Sequence, residues 1–188
     1  MKGSLGAIWR WVRWPVYILA GAYVVLVIYR TFVLMDADKT AEAVAAIHAQ
    51  KITLADVQGA NLPPVPDQAE NDSTVAGIDK NNNGIRDDVE LAIFKKYPND
   101  KKSRAAALQY AMTEQMYLTS VTNTETWKAV AEEVGRAGLC LLDTRVKWDE
   151  TDKLIFNNKL RTDAQEKAYE FITSYGPASG IPCDVLPE

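Results

Sequence analysis

Asp79-Lys80-Asn81-Asn82-Asn83-Gly84-Ile85-Arg86-Asp87-Asp88-Val89-Glu90 is the stretch around which the chain is organised. Read as a twelve-residue loop, it places side-chain oxygens at the first, third, fifth, ninth and twelfth positions and a glycine at the sixth, which is the D-x-[DN]-x-[DN]-G-x5-E spacing of a calcium loop. A hard cation takes six to eight oxygen ligands. Asp79, Asn81 and Asn83 would give one each, Ile85 its backbone carbonyl, Asp87 one directly or through water, and Glu90 two. Gly84 permits the sharp turn that folds these oxygens inward, because glycine alone takes positive φ at little cost. The competing reading is a metal-free turn, since Asn, Asp and Gly favour turns for local reasons.

Downstream, a helix is predicted from near Asp87. It carries Asp87, Asp88 and Glu90 in its first turn, where the helix dipole favours acids, and shows Val89, Ile93, Phe94 and Tyr97 on one side before Pro98. Upstream, Pro63-Pro64-Val65-Pro66 and the polar run from Asp67 to Gly77 predict an extended spacer with no entering helix. The loop and its exiting helix resemble EF-hand loops, and among them the dockerin and other extracytoplasmic bacterial calcium loops that lack an entering helix. The resemblance covers these residues and no more of the chain. It implies Ca2+ as the cofactor and an exported envelope protein as the setting, and it names no activity.

Trp14 to Met35 is a run of 22 residues interrupted by one charge, Arg30, and about 20 apolar residues suffice to cross a bilayer. Arg30 lies near its outer end, where it can reach the interface. Trp9, Trp11 and Trp14 on one side and Tyr29 on the other fall where interfacial aromatics are found. Lys2, Arg10 and Arg13 precede the span, whereas Lys39 and Lys51 follow it among acids, so the positive-inside bias predicts a cytoplasmic N-terminus and an extracytoplasmic, periplasmic domain in a single-pass inner or plasma membrane protein. The alternative is a cleaved signal peptide with Ala41-Glu42-Ala43 as the small-residue site, against which the length of the apolar run argues.

Both cysteines, Cys140 and Cys183, follow the span, and an even count in an exported domain reads as a disulfide. Such a bridge closes a loop of 43 residues, worth roughly 4 kcal/mol in the chain-entropy model. Two unpaired buried thiols are the other reading.

The rest of the pattern is helical. Asp36 to Gln50 reads as a short stalk extending the membrane helix, with His48 a solvated residue on it, and Ile52 to Val57, opened by Thr53, as one further turn. Lys101 to Val121 carries Ala105, Leu108, Met112 and Met116 in one row. Thr122 and Glu125 predict a capping box for a helix bearing Trp127, Val130, Ala131, Val134, Ala137, Leu141 and Leu142, with Cys140 at its border; Thr162 and Gln165 predict another for a last helix with Ala164, Ala168, Phe171, Ile172 and Tyr175 inward and Gly176-Pro177 at its end. In the ambiguous stretch Lys147 to Leu160, Trp148, Leu154, Ile155 and Phe156 are expected to pack inward. No run alternates with period two, so no sheet is expected. The fold class is all-α: residues 1–35 as N-terminus and anchor, 36–78 as stalk and proline-rich spacer, and 79–188 as a small bundle of about four helices carrying the loop.

A single histidine and the lack of G-x-S-x-G, H-E-x-x-H or a Gly-rich phosphate loop leave no convergent nucleophile, base and electrophile, so no catalytic residue is named and an enzyme is not expected. The carboxylates Asp143, Asp149, Glu150 and Asp152 would be the place to look for a hydrolase, and a solvated acidic loop is the competing reading. Lys95, Lys96, Lys101, Lys102 and Arg104 form a basic cluster that lipid headgroups would suit, or an ordinary solvated surface. The net charge of −4 gives no reason to expect nucleic acid. Two functions remain: a membrane-anchored protein with a structural calcium site that meets another envelope protein, or an accessory subunit packed into a larger membrane complex through its span, where Ala20, Gly21 and Ala22 allow close approach.

Overall fold

The computed structural model describes residues 4–142, 144–176 and 181–186, and side chains from Arg13 onward. Lys2, Asp143 and Pro177, and the side chains of Trp9, Arg10 and Trp11, lie outside the described residues. The chain divides into two compact units, Met1–Glu42 and Ala43–Glu188. The first is the greater part of α1 (Ser4–Ala49), whose portion from Arg13 is long and apolar enough to cross a membrane by length and composition. None of its most apolar window is covered by protein.

The second unit is all-α, with no strand among the described residues. After the last turns of α1 come α2 (Leu54–Gln58), α3 (Gln68–Asp72), α4 (Asp87–Lys96), α5 (Lys101–Thr119), α6 (Thr124–Leu141), α7 (Trp148–Ile155) and α8 (Lys159–Tyr169). The unit is a bundle around α5, which packs against α2, α4, α6, α7 and α8. Every residue of α5 from Ser103 to Tyr117 is buried, so the predicted apolar stripe is one part of a helix enclosed on all sides. Ile47, Ile52 and Val57 belong to the same core as Ile85, Val89, Ile93, Leu108, Met112, Val130 and Ile155. The residues read as stalk are therefore packed into the domain from Ala43 onward.

Local signals account for most of the helix starts. Thr53 and Asp56 cap α2 reciprocally, and Gly59, at φ +74°, ends it. α4 begins at Asp87 with three acids in its first turn. At α6 the cap is Asn123 paired with Thr126, one residue after the predicted Thr122 and Glu125, because the Asn123 carboxamide accepts two backbone N–H groups at once. At α8 the cap is Asn158, and Thr162 lies inside the helix with its hydroxyl donated back to the Lys159 carbonyl. The helix therefore ends at Tyr169, and Ile172 and Tyr175, expected inside, are exposed. Trp148, also expected inside, begins α7 and is 61% exposed, while Ile155 from the same stretch is fully buried.

Cys140 and Cys183 form a disulfide, as their number and placement predict. His48 is not a free stalk residue: its Nδ1 lies 2.9 Å from Oε1 of Glu133 on α6.

Candidate metal centre

The 79–90 loop is held at both ends by buried arginines. Arg86, the residue before α4, is wholly buried and donates to the carbonyls of Leu154 and Ile155 at the end of α7 while pairing with Asp88. Arg161 of α8, equally buried, donates to the carbonyls of Asn71, Thr74 and Val75, just before the loop, and pairs with Asp72. Asn71 continues this brace by accepting the Ile78 N–H. No sequence pattern announced these arginines, because the carbonyls that each one binds lie more than 65 positions away.

Inside the loop, backbone N–H groups turn toward the side-chain oxygens. Asp79 accepts from Asn83 and Gly84, Asn83 from Ile85, and Asp87 from Lys80. The Asn81 carboxamide donates to Oε2 of Glu90 at 2.9 Å and to the Asn61 carbonyl. Asn82 and Gly84 take the left-handed backbone, at φ 55° and 83°, that reverses the chain there. The Ile85 side chain is anchored in the core beside Val89, which fixes the loop to the packed interior. Of the six expected ligands, Asn81 and Glu90 are joined directly by a side-chain hydrogen bond. The run from Asp67 to Gly77, expected to be extended, contains α3, because the Asp67 carboxylate caps it by accepting the Glu70 N–H; α3 ends at Asp72, so no helix runs directly into Asp79.

The electrostatics are those of buried acids. Burial pushes the Glu90 carboxyl up to about 7, with the Asn81 and Asn83 carboxamides pulling it down and Asp56 and Asp87 pushing it further up. Burial likewise raises Asp87, whose Oδ2 is buried without a hydrogen-bond partner. An orphaned buried carboxylate oxygen is costly, and either a proton or a bound cation would relieve it. Among the described residues, no group of three or more His, Cys, Asp or Glu side chains is by itself arranged to hold a metal ion. The set expected from the sequence is mixed: the carboxylates of Asp79, Asp87 and Glu90, the carboxamides of Asn81 and Asn83, and the Ile85 carbonyl. Such a set of oxygens suits Ca2+ rather than a metal that prefers nitrogen or sulfur.

Two other sequence candidates come out differently. Arg104 leaves the basic cluster, because it is buried under α2 and donates to the carbonyls of Val57, Tyr97 and Pro98. Asp152 is not in a solvated loop. It accepts the Tyr110 hydroxyl at 3.1 Å, and the same hydroxyl also engages buried Glu114 of α5. Burial, reinforced by Asp152, pushes Glu114 up to about 8. Asp149 and Glu150 pair with lysines at the surface.

Comparison of the chain with protein-family models, curated proteins and solved structures finds no match.

Proposed function

We propose that the chain is a membrane-anchored, extracytoplasmic calcium-binding protein in which one Ca2+ clamps the 79–90 loop to the helical domain, and that the domain presents its surface to another envelope protein. The observation that carries this reading is the orphaned Oδ2 of Asp87 next to the buried carboxyl of Glu90. Asp79, Asn81, Asn83, the Ile85 carbonyl, Asp87 and Glu90 would hold the ion, which supplies the positive charge these acids lack. Two carboxamides among the ligands lower the charge at the site, and affinity follows charge, so binding belongs to the extracellular class of about 0.1 to 1 mM. The apolar α1 and the disulfide accord with a domain outside the cytoplasm. Sensor hands act by re-angling two helices, and here α4 alone adjoins the loop, so the ion stabilises rather than signals.

The test is thermal melting of the full chain in detergent micelles, in calcium and in chelator. At a free ion concentration about 100 times the dissociation constant, linkage adds roughly 2.7 kcal/mol. Asp79→Ala and Glu90→Ala should each abolish the difference. Melting indifferent to several millimolar calcium would sink the calcium reading, and calcium-dependent exposure of apolar surface to a dye would make the site a switch instead of a clamp.

A further inference from the structure

Residues 181–184, which form neither helix nor strand, are gripped as a bound peptide would be. The Gln109 carboxamide brackets Cys183: its Nε2 donates to the Pro182 carbonyl at 2.7 Å and its Oε1 accepts the Asp184 N–H at 2.8 Å. Arg136 donates to the carbonyls of Ile181 and Pro182 and pairs with Oδ1 of Asp184 at 2.6 Å. The other Asp184 oxygen accepts the Ile52 N–H at 3.2 Å. Glu133 fixes Arg136 from behind and is itself held by His48 and Lys51. The walls of this cleft are α5, α6 and the segment following α1, and its floor is the seam of Ala106, Tyr110, Ala137 and Leu141, on which Cys183 packs.

The contacts are made almost wholly to main-chain atoms and to one carboxylate. Ile181 and Leu186 are exposed, and the apolar contacts of the tail are those of the half-buried Cys183 and Val185. Hydrogen bonds exchanged with water are worth little net, a buried ion pair comes close to breaking even, and ordering the segment opposes both. These contacts hold the tail only part of the time, and the covalent bridge to Cys140 is what keeps it seated. Cys140 is buried and Cys183 is half-buried, so Cys183 is the more accessible half of the bridge to an incoming thiolate.

We infer that residues 181–184 are a cis-bound strap over a peptide cleft, and that thiol–disulfide exchange at Cys140–Cys183 opens the cleft to a non-helical peptide bearing a matching carboxylate. A dithiol reductant supplies the two electrons. Its first thiolate bonds to Cys183 Sγ, and Cys140 leaves as a thiolate and takes a proton. Its second thiol then displaces Cys183, leaving two protein thiols and one oxidised reductant.

Hydrogen exchange of the full chain in micelles, oxidised and after reduction, reads the strap directly. The Ile52 and Asp184 amides should exchange about tenfold faster or more on reduction, while α5 keeps its protection. Unchanged exchange, or loss of protection throughout, would overturn the inference, since the tail would then be held without the bridge or the bridge would be only a staple. The cleft is read with a labelled synthetic peptide spanning residues 181–186 with Cys183→Ser. At about millimolar peptide, a full chain carrying Cys183→Ser and Asp184→Asn should capture it, the oxidised natural chain should not, and a peptide also carrying Asp184→Asn should lose binding. Strap opening without peptide capture equally overturns the proposal.

Discussion

The carboxamide of Gln50 lies against the α-carbon of Gly84, so closely that a β-carbon added to Gly84 would fall 1.6 Å from Nε2 of Gln50. The end of a flexible side chain can move aside, but the backbone of Gly84, at φ +83°, cannot accept a β-carbon without strain. Gly84→Ala should therefore lower unfolding free energy in chelator by about 1 to 2 kcal/mol. Combining it with Gln50→Ala should recover little of that loss in urea titration. Full recovery would show the crowding, and not the turn, to be the cost.

Stability should fall as pH rises through neutrality. The Glu114 carboxyl titrates near 8 in the folded domain against an ordinary value of 4.5, because it is buried and faces Asp152. Tyr110 hydrogen-bonds to both acids, and Tyr117 and Tyr169, raised first by burial, are raised further by Glu114. Between those two pH values the folded chain keeps a proton that the unfolded chain gives up, so this contribution is fully present below about 4.5 and lost by about 8. One such proton corresponds to a slope of at most about 1.4 kcal/mol per pH unit. Urea midpoints at several pH values, with calcium saturating so that Glu90 is held apart, should show the fall, and Glu114→Gln should flatten it.

Arg161→Met should cost about 3 kcal/mol or more, because it strips buried carbonyls of their donor. Arg161→Lys should restore little, since an ammonium cannot reproduce the planar fork that reaches three carbonyls. By contrast Lys159→Ala, which breaks a solvent-exposed pair with Asp163, should leave the urea midpoint where it was. Equal effects of the two truncations would remove the brace argument.

For topology, a reporter active only outside the cytoplasm, fused after Glu188, should be active. A stably expressed but silent fusion would reverse the orientation that Lys2, Arg10 and Arg13 imply.

Elements set by local chemistry were readable from the sequence. The start of α4 follows from three acids after a turn glycine, α2 from Thr53, and the Cys140–Cys183 bridge from the cysteine count. What escaped was decided across the fold. Thr162 and Gln165 look like a helix start, yet Asn158 takes that role and α8 carries Arg161 onto the 71–75 carbonyls. His48 looked idle because Glu133 lies 85 positions away. Glu114 gave no signal at all, since an acid on an apparently amphipathic helix is ordinarily solvated, and its burial comes from helices that close around α5, α7 with Asp152 among them.

From Ser103 to Tyr117, α5 has no outside. A helix with a wet face can absorb change there, drifting in charge or length of side chain with small effect. Here that freedom is missing for four consecutive turns, and even the polar positions are committed: Gln109 to the tail, Tyr110 and Glu114 to α7, Gln115 to the Ala76 carbonyl ahead of the loop. Random substitution across the domain should therefore leave a nearly intact block at 103–117 among functional survivors, with tolerated changes concentrated on the exposed positions of α7 and α8.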